Sequence, residues 1–540
     1  MRGGRQLTAA AALALAALVG LAGCGKKAAV RPACPPGQDC VLIGNAAELS
    51  SLDPHHVTGI WEARVMRDAF IGLTVDDVDG NTQPGIATSW ETSADGLVWT
   101  FHLRESVWSD GAPVTADDFV FAYRRSLDPK TANETAALIY VLKNAQPVNA
   151  GKLPVEALGV KALDPRTLQI TLEHPAPYLP ELTKHLSMLP VPKHAVEKWG
   201  DAWAQPAHYV SNGPFTPAEW RLGDYMKSVK NPRFYGTAGV CPAAVYYYPT
   251  NDAISAERRV LRGELDVSTD ILSNRIAYLQ KKAPGYVRVK TWLGVAYASF
   301  NSNVPGLNDP RVRRALSMSI DREFITGKLL RGGQLPAYTF TPPGMANYTT
   351  VAPPEWSSWS FERRQAEARR LLAEAGYGPG HPLKVEIKLR NSPDPTLFYP
   401  AIQADWKSIG VDARLAQVET QVAYADYRSR NYQVADAAWI ADYNDPITFL
   451  FLMRSDTGAQ NYSDYRNPAY DGLLAKADAE ADAKVRATYL AQAEQLMLSD
   501  APVAPIFFYV SKNLVSPSLS GWVDNLSDRH PSSQLCRKKD

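Results

Sequence analysis

Strand-like and helix-like segments alternate through almost the whole chain, and this alternation restricts the possible folds more than any other feature of the sequence. Residues 98–103 alternate apolar and polar side chains, so that Trp99, Phe101 and Leu103 share one face of a half-buried strand. The alternation continues without internal repeats, which predicts mixed α/β layers. With 540 residues, the chain is long enough for about two to four domains.

In several further segments, the apolar residues have the spacing that is typical of a helix or a strand. Thr115 and Asp118 resemble a capping box, which marks the start of a helix. The pattern predicts helices over 115–125, 310–330 and 360–376, and strands over 383–389 and 505–510. Over 468–498 it predicts either a helical hairpin or one long helix.

The first residues have the pattern of an export signal. Arg2 and Arg5 precede an uncharged apolar run of about 15 residues, shorter than the roughly 20 that a membrane-spanning helix needs. The run ends in Leu-Ala-Gly-Cys, which resembles a lipobox. We therefore predict that residues 1–24 form a lipoprotein signal and that Cys24 carries the lipid. The alternative is ordinary cleavage near Ala22, with Cys24 an incidental thiol.

Export to an oxidising compartment affects the interpretation of the remaining cysteines. Residues 25–40 are predicted to form a flexible tether rich in Pro and Gly. Within this tether, Cys34 and Cys40 could form a disulfide. The sequence leaves open whether Cys241 and Cys536 pair or remain buried thiols. No cysteine spacing fits a zinc site and no HExxH motif occurs, so we predict no metal site and no cofactor.

Charge and motifs exclude several function classes. The 57 basic and 56 acidic side chains give a formal net charge of +1, so no global field attracts nucleic acid. The chain has neither a GxSxG nucleophile elbow nor a GxGxxG dinucleotide fingerprint. An exported chain of this size without a catalytic motif favours a binding protein over an enzyme.

A set of motifs in a fixed order points to one family. The motifs are Glu48–His55, Arg67–Leu73, Pro84–Trp90, Val98–Arg104, Trp108–Gly111, Asn308–Leu316, Leu371–Tyr377 and Trp439–Pro446. Together they resemble the peptide-binding lipoproteins of bacterial ABC importers, in extracytoplasmic solute-binding protein family 5. The resemblance covers essentially the whole chain after the signal.

The resemblance implies a definite architecture. The expected fold is α/β, a periplasmic-binding-protein type II-like flytrap in which two lobes close over a ligand, with an extra third domain. The implied divisions are domain I (lobe 1) over 41–60, 185–292 and 511–540, domain II (the extra domain) over 61–184, and domain III (lobe 2) over 293–510.

The resemblance also implies a ligand site. Its residues are Asp442, Trp439, Tyr509, Glu48, Ala438, Ile440 and Asn461. Asp442 stands where an aspartate of the family neutralises the N-terminal ammonium of an extended peptide, which main-chain hydrogen bonds hold as an added strand. Asp442 could instead cap the turn that follows it, Trp439 could be a core residue, and Glu48 could lie in a solvated loop.

The matching positions differ at the other end of the peptide. Where the family places cations for the C-terminal carboxylate, this chain has Asp436 and Val304. A negative Asp436 would repel a free carboxylate. Either the peptides are longer or modified, with the C-terminus solvated or met by Arg428 or Arg430, or the ligand carries an amine without being an ordinary short peptide.

These expectations combine into one function. We predict an extracytoplasmic, lipid-anchored and monomeric subunit of an ABC importer that captures oligopeptides and delivers them to the membrane permease and its ATPases. It would perform no chemistry and bind no nucleic acid. The alternatives are a receptor for a modified or murein peptide and a peptide sensor.

Overall fold

The computed structural model describes Cys34 and residues 39–538. The predicted signal over 1–24, its Cys24 and almost all of the predicted tether lie outside the described residues. Strands and helices are interspersed throughout, as the alternating pattern predicts. Within the described residues, the helices are too short or too polar to span a bilayer.

The strands and helices are numbered in chain order. The strands are β1 (Cys40–Gly44), β2 (Thr74–Asp76), β3 (Thr82–Pro84), β4 (Ala87–Thr92), β5 (Val98–Leu103), β6 (Val160–Asp164), β7 (Thr167–Thr171), β8 (Phe215–Arg221), β9 (Tyr225–Lys230), β10 (Ala244–Tyr248), β11 (Val267–Ser268), β12 (Val287–Phe300), β13 (Leu335–Pro336), β14 (Lys384–Arg390), β15 (Asp412–Val418), β16 (Val434–Ile440), β17 (Val503–Val515), β18 (Leu519–Ser520) and β19 (Cys536–Arg537). The helices are α1 (Ile60–Ala69), α2 (Ala116–Leu127), α3 (Ala145–Asn149), α4 (Leu179–Leu182), α5 (Lys193–Trp199), α6 (Ala253–Leu261), α7 (Ile276–Lys282), α8 (Pro310–Met318), α9 (Arg322–Phe324), α10 (Phe361–Glu374), α11 (Pro393–Ser408), α12 (Thr420–Ser429), α13 (Ile447–Leu450), α14 (Pro468–Asp478) and α15 (Ala483–Asp500).

One large sheet runs through both parts of the protein. Its order is β15-β14-β16-β12-β17-β11-β1-β10-β9-β8, and β13 pairs separately with β17. The two longest strands, β12 and β17, pair antiparallel with each other, with a register shift between Thr291 and Val295. One end of this pair joins β16, and the other end joins β11. The two long strands therefore connect the two parts of the sheet.

The two parts of the sheet share one large apolar cluster, and each also has a core of its own. On the β14–β16 side, helices α8, α10 and α11 cover the sheet, and their core includes Phe300, Leu316, Leu372 and Trp406. Burial of such apolar surface contributes on the order of 25 cal/mol per Å². A smaller core on the other side contains Leu42 and Tyr246 from β1 and β10.

A four-stranded sheet, ordered β4-β5-β7-β6, stands apart from the large one. Trp99, Phe101 and Leu103 of β5 are all buried on one face, which confirms the predicted half-buried strand. Helix α2 packs on β6 and β7 of this sheet. The capping box is also confirmed, since the Asp118 carboxylate accepts the Thr115 backbone N–H at 2.9 Å.

Two of the helix predictions needed the structure to resolve them. The predicted continuous helix over 310–330 is wrong, because α8 ends at Met318 and Asp321 caps a new helix by accepting the Phe324 N–H at 3.0 Å. Over 468–498, the hairpin is the correct alternative, since Asp482 caps α15 through two backbone N–H groups after α14 has ended.

The two cysteine pairs form disulfides in the structure. Cys34 is bonded to Cys40, as predicted, with Cα atoms 5.8 Å apart. Cys241 is bonded to Cys536, with Cα atoms 5.1 Å apart and a sequence separation of 295 residues. The second bond ties the C-terminal strand β19 to the segment before β10, a contact that the sequence left open.

Candidate functional site

A cavity of about 680 Å³ lies where the two parts of the large sheet meet. Its walls come from α1, β2, residues 184–189, residues 527–534, Trp292, Ile440, Ala441 and Asp442. The lining mixes apolar and charged groups, which is typical of a site that buries a small ligand. The end of β16, helix α1 and the C-terminal segment therefore meet at this cavity.

Asp442 is the second residue after the end of β16, and it lines this cavity. Its Oδ2 accepts from the Thr448 hydroxyl at 3.3 Å, and no cationic side chain of the described residues lies within ion-pair distance of it. Burial raises the pKa of Asp442 to about 6, against the lowering effects of Thr448 and Arg529. A half-buried carboxylate without a counter-ion is suited to receive a ligand ammonium.

The alternative role for Asp442, capping the next turn, belongs to a different residue. Asp445 Oδ1 accepts the Ile447 N–H at 3.0 Å. Both oxygens of Asp445 also accept from the guanidinium of Arg486, at 2.8 and 2.9 Å. Asp445 therefore stabilises the turn, and the carboxylate of Asp442 is left facing the cavity.

The outer edge of β16 is open beside Asp442. Strand β14 pairs with β16 only at Val434 and Ala435, and then diverges. Residues 436–440 consequently have no strand partner on that edge within the part of the chain that the structure describes. Ala438 and Ile440 lie on this edge. An extended peptide could pair with such an edge through main-chain hydrogen bonds.

Tyr509 and Ile440 meet at Gly294. A Cβ at Gly294 would collide with the Ile440 side chain and lie 3.3 Å from Tyr509, so only glycine permits this close approach of β12, β16 and β17. Trp439, whose side chain is not among those that line the cavity, packs edge-on against Phe451 with ring centroids 5.8 Å apart. The structure brings Ile440 and Asp442 to the cavity, with Tyr509 next to Ile440.

Glu48 and Asn461 lie elsewhere. The Glu48 carboxylate accepts from the Trp220 indole N–H at 3.0 Å and from the Gly223 N–H at 2.7 Å. The buried Asn461 side chain donates to the backbone oxygens of Arg454 and Tyr465. Neither residue lines the cavity. Glu48 links its loop to the β8–β9 hairpin, and Asn461 holds a local turn.

Asp436 is not the free negative charge that the sequence suggested. Arg390, at the end of β14, donates from Nε to Asp436 Oδ2 at 2.7 Å and from Nη2 to Oδ1 at 3.0 Å. The Asp436 side chain is 2% exposed. Burial by itself lowers the pKa of Arg390, but the hydrogen bonds and charge of Asp436 outweigh it and raise the pKa above its ordinary value. The predicted repulsion of a ligand carboxylate is therefore wrong, because Arg390 neutralises Asp436.

Of the two candidate cations for the far end of a peptide, Arg430 is engaged, whereas Arg428 has no ion pair with the described residues. Arg430 forms an ion pair with Asp464 at 3.1 Å, and Val304 packs against the core on the β14 side. Among the described residues, no group of three or more His, Cys, Asp or Glu side chains could hold a metal.

The sequence analysis missed the cationic wall of the cavity. Arg64 and Arg67 of α1, Lys184 and Arg529 all line it. The spacing of Arg64 and Arg67, one helical turn apart, was the available signal, since residues three apart share a helix face. Arg529 comes from the far end of the chain, and no local pattern connects it to α1.

Two parts of one sheet, joined by a pair of long strands and enclosing a cavity at their junction, define a periplasmic binding protein of the type II fold. The sequence model described as "Bacterial extracellular solute-binding proteins, family 5 Middle" matches residues 81–461. The chain belongs to this solute-binding family 5.

Individual relatives are similar over nearly their whole length. The periplasmic oligopeptide-binding protein OppA of Salmonella typhimurium is 38% identical over 500 residues, 92% of this chain and 91% of the relative. The periplasmic murein peptide-binding protein MppA of Escherichia coli is 37% identical over 482 residues, 88% of this chain and 89% of the relative. The crystal structure of Haemophilus influenzae OppA in complex with RPPGFSPFR has a TM-score of 0.81 at 34% identity, covering 93% of this chain and 99% of that one.

Proposed function

We propose that the protein is the extracytoplasmic solute-binding subunit of an ABC importer and that it captures oligopeptides in the cavity between its lobes. The observation that carries this proposal is Asp442, a half-buried carboxylate without a counter-ion at the end of an open strand edge. The names of the S. typhimurium and H. influenzae relatives, which refer to oligopeptide binding, support it.

The peptide would lie along the open edge of β16, with its ammonium at Asp442. It would then run antiparallel to β16, toward Arg390 and Asp436. Because these two side chains already neutralise each other, we propose that no dedicated cation fixes the position of the C-terminal carboxylate. Peptides of several lengths would then bind through the same amino-end site.

Lobe closure would provide the signal for delivery. A peptide that contacts both lobes only in the closed state shifts the equilibrium toward that state. We propose the domain division given above, with 41–60, 185–292 and 511–540 in the first lobe, 61–184 in the extra domain and 293–510 in the second lobe. The connection of the two parts of the sheet through β12 and β17 supports this division. The closed monomer would then dock on the permease, whose ATPases drive import.

A calorimetric titration tests the proposal. We expect tetra-alanine with a free amino terminus to bind and its N-acetylated form to bind much more weakly, because only the first offers an ammonium to Asp442. Equal affinities would contradict the role of Asp442. Binding of neither peptide, nor of a mixed peptide pool, would contradict the proposed peptide ligand.

The pH dependence of binding should reflect both charges. Below about pH 6, protonation of Asp442 removes the negative partner, so the affinity should fall by up to roughly tenfold per pH unit. Above about pH 8, the peptide amine loses its proton and the affinity should fall again. Titrations from pH 4.5 to 9 should therefore give a maximum near neutrality, and a flat acidic limb would contradict the assignment.

We also propose that Cys24 carries the lipid that holds the protein at the cell envelope. Cys24→Ala should move almost all of the protein from the membrane fraction to the soluble fraction. Cys34→Ala is the matched control and should stay with the membrane. Mass spectrometry of the intact wild-type protein should show acyl chains on Cys24, whereas a Cys24→Ala protein that still sediments with membranes would exclude this anchor.

A further inference from the structure

The wall of the cavity carries four cationic side chains, and two of them have carboxylate partners. Lys184 forms ion pairs with Asp76 at 2.6 Å and with Glu181 at 2.9 Å. Arg529 pairs with the same Asp76 at 3.0 Å and donates to the backbone oxygen of Asp442 at 3.1 Å. These contacts place Arg529 between Asp76 and the backbone of Asp442.

Arg64 and Arg67 lack such partners. Among the described residues, no carboxylate lies within the 4.0 Å ion-pair distance of either guanidinium. Arg64 donates to the neutral amide oxygen of Asn45. The side chain of Arg67 makes no hydrogen bond to any residue that the structure describes, and its Nε is buried without a partner. Both side chains line the cavity.

The nearby acidic groups are occupied by other donors. Asp68 accepts from the Tyr247 hydroxyl and from the Ser532 N–H. Asp528 Oδ1 lies 2.8 Å from the Asn513 amide nitrogen and 3.0 Å from the His530 ring. These carboxylates are therefore engaged and leave the two arginines without a direct partner.

The positive charges of the two unpaired guanidinium groups repel each other. Burial, with the positive charges of Arg529 and Arg64, lowers the pKa of Arg67 to about 9, and only Asp76 acts against this. A cation removed from water is unfavourable until an anion joins it. The planar guanidinium donates two parallel hydrogen bonds, a geometry that matches a carboxylate. The site thus has the chemistry of an anion receptor.

Asp442 lines the same cavity as these arginines. One ligand could therefore present an ammonium to Asp442 and an anion to Arg67. We propose that Arg67, assisted by Arg64, binds a carboxylate near the amino end of the ligand, so that the protein prefers peptides with glutamate at the first or second position. This inference rests on the proposed peptide function and adds a substrate class to it.

Calorimetry with matched peptides tests the preference. The ligands are Glu-Ala-Ala-Ala and Ala-Glu-Ala-Ala, each compared with its glutamine counterpart at pH 7.5. We expect at least one glutamate peptide to bind about tenfold or more tightly than its glutamine isostere, which corresponds to about 1.4 kcal/mol. This comparison uses the wild-type protein and does not depend on a variant that folds.

Variants then test which residue is responsible for the preference for glutamate. Arg67→Gln should abolish the preference for glutamate, so that each glutamate peptide and its glutamine counterpart bind the variant with equal affinity. Arg124→Gln is the matched control, because the Nε of Arg124 is also buried without a partner but its side chain does not line the cavity. It should keep the full preference. Thermal melting of each variant separates a folding defect from a lost subsite, and Arg64→Gln gives a second, weaker reduction.

The outcomes separate this inference from the proposed function. If glutamate and glutamine peptides bind equally well, peptide binding stands and the carboxylate subsite is overturned. If glutamate is preferred but Arg67→Gln retains the preference, the assignment to Arg67 is overturned. If none of the peptides bind, the proposed function fails first.

Discussion

Asp442→Asn lowers the affinity for peptides with a free amino terminus by about 100-fold or more, as expected when one partner of a buried charge pair is removed. The substitution keeps the shape of the side chain and its contact with Thr448, but removes the charge that faces the cavity. A calorimetric titration with tetra-alanine measures the loss directly.

Two controls make this result specific. Asp456→Asn removes a carboxylate that is 67% exposed, and should leave the affinity unchanged. N-acetylated tetra-alanine should bind the wild-type protein and Asp442→Asn with similar, low affinity, because the ammonium is absent from both complexes. A loss of affinity that is equally large for the acetylated peptide would show that Asp442 acts through the shape of the site.

The same substitution should stabilise the ligand-free protein. The pKa of Asp442 is about 6 in the folded protein, above the value of about 3.9 in an unfolded chain. The raised pKa means that the stabilising contribution of protonated Asp442 is present below about pH 4 and is lost as the pH rises through about 6. Asp442→Asn should therefore melt at a higher temperature than the wild-type protein at pH 7.5, and the difference should vanish at pH 3.5.

Asp436→Ala lowers the free energy of unfolding by about 3–5 kcal/mol, because it leaves the Arg390 guanidinium largely buried and without its carboxylate. The remaining partner of Arg390 would be the Tyr424 hydroxyl at 2.8 Å, which carries no charge. Denaturant unfolding, followed through tryptophan fluorescence, measures the change.

A neighbouring ion pair provides the matched control. Glu386, on the same strand as Arg390, pairs with Arg414, which is 79% exposed. Glu386→Ala should cost only about 0–1 kcal/mol, since solvent screens an exposed pair. The double variant Arg390→Met, Asp436→Leu should recover most of the stability, because it leaves no unpaired charge. An Asp436→Ala protein as stable as Glu386→Ala would contradict the buried ion pair.

Local patterns predicted much of the fold. The alternation around Trp99 and the capping box at Thr115 depend on residues that are neighbours in the chain, so the sequence was sufficient for both. The helix over 310–330 was wrong because Asp321 caps a new helix, and the distant Asp405 carboxylate also holds this residue by accepting its N–H at 2.9 Å. Periodicity alone cannot reveal such a contact.

The site was predictable to the extent that a motif carried it. Asp442 lies in a motif shared with the resembling family, and the structure places it at the cavity. The neutralisation of Asp436 depends on Arg390, 46 residues away in the chain. The cationic wall likewise joins α1 to Arg529. Pairs of this kind become visible only when the strands and helices are packed.

Native mass spectrometry tests the central claim most directly. The chain without residues 1–24, purified without denaturation, should carry a series of bound masses. Fragmentation of the released ligands should identify peptides with free amino termini. A single non-peptide mass, or an empty protein whose melting temperature does not rise in a concentrated peptide pool, would contradict the account, since a bound ligand at about 100 times its Kd stabilises a protein by about 2.7 kcal/mol.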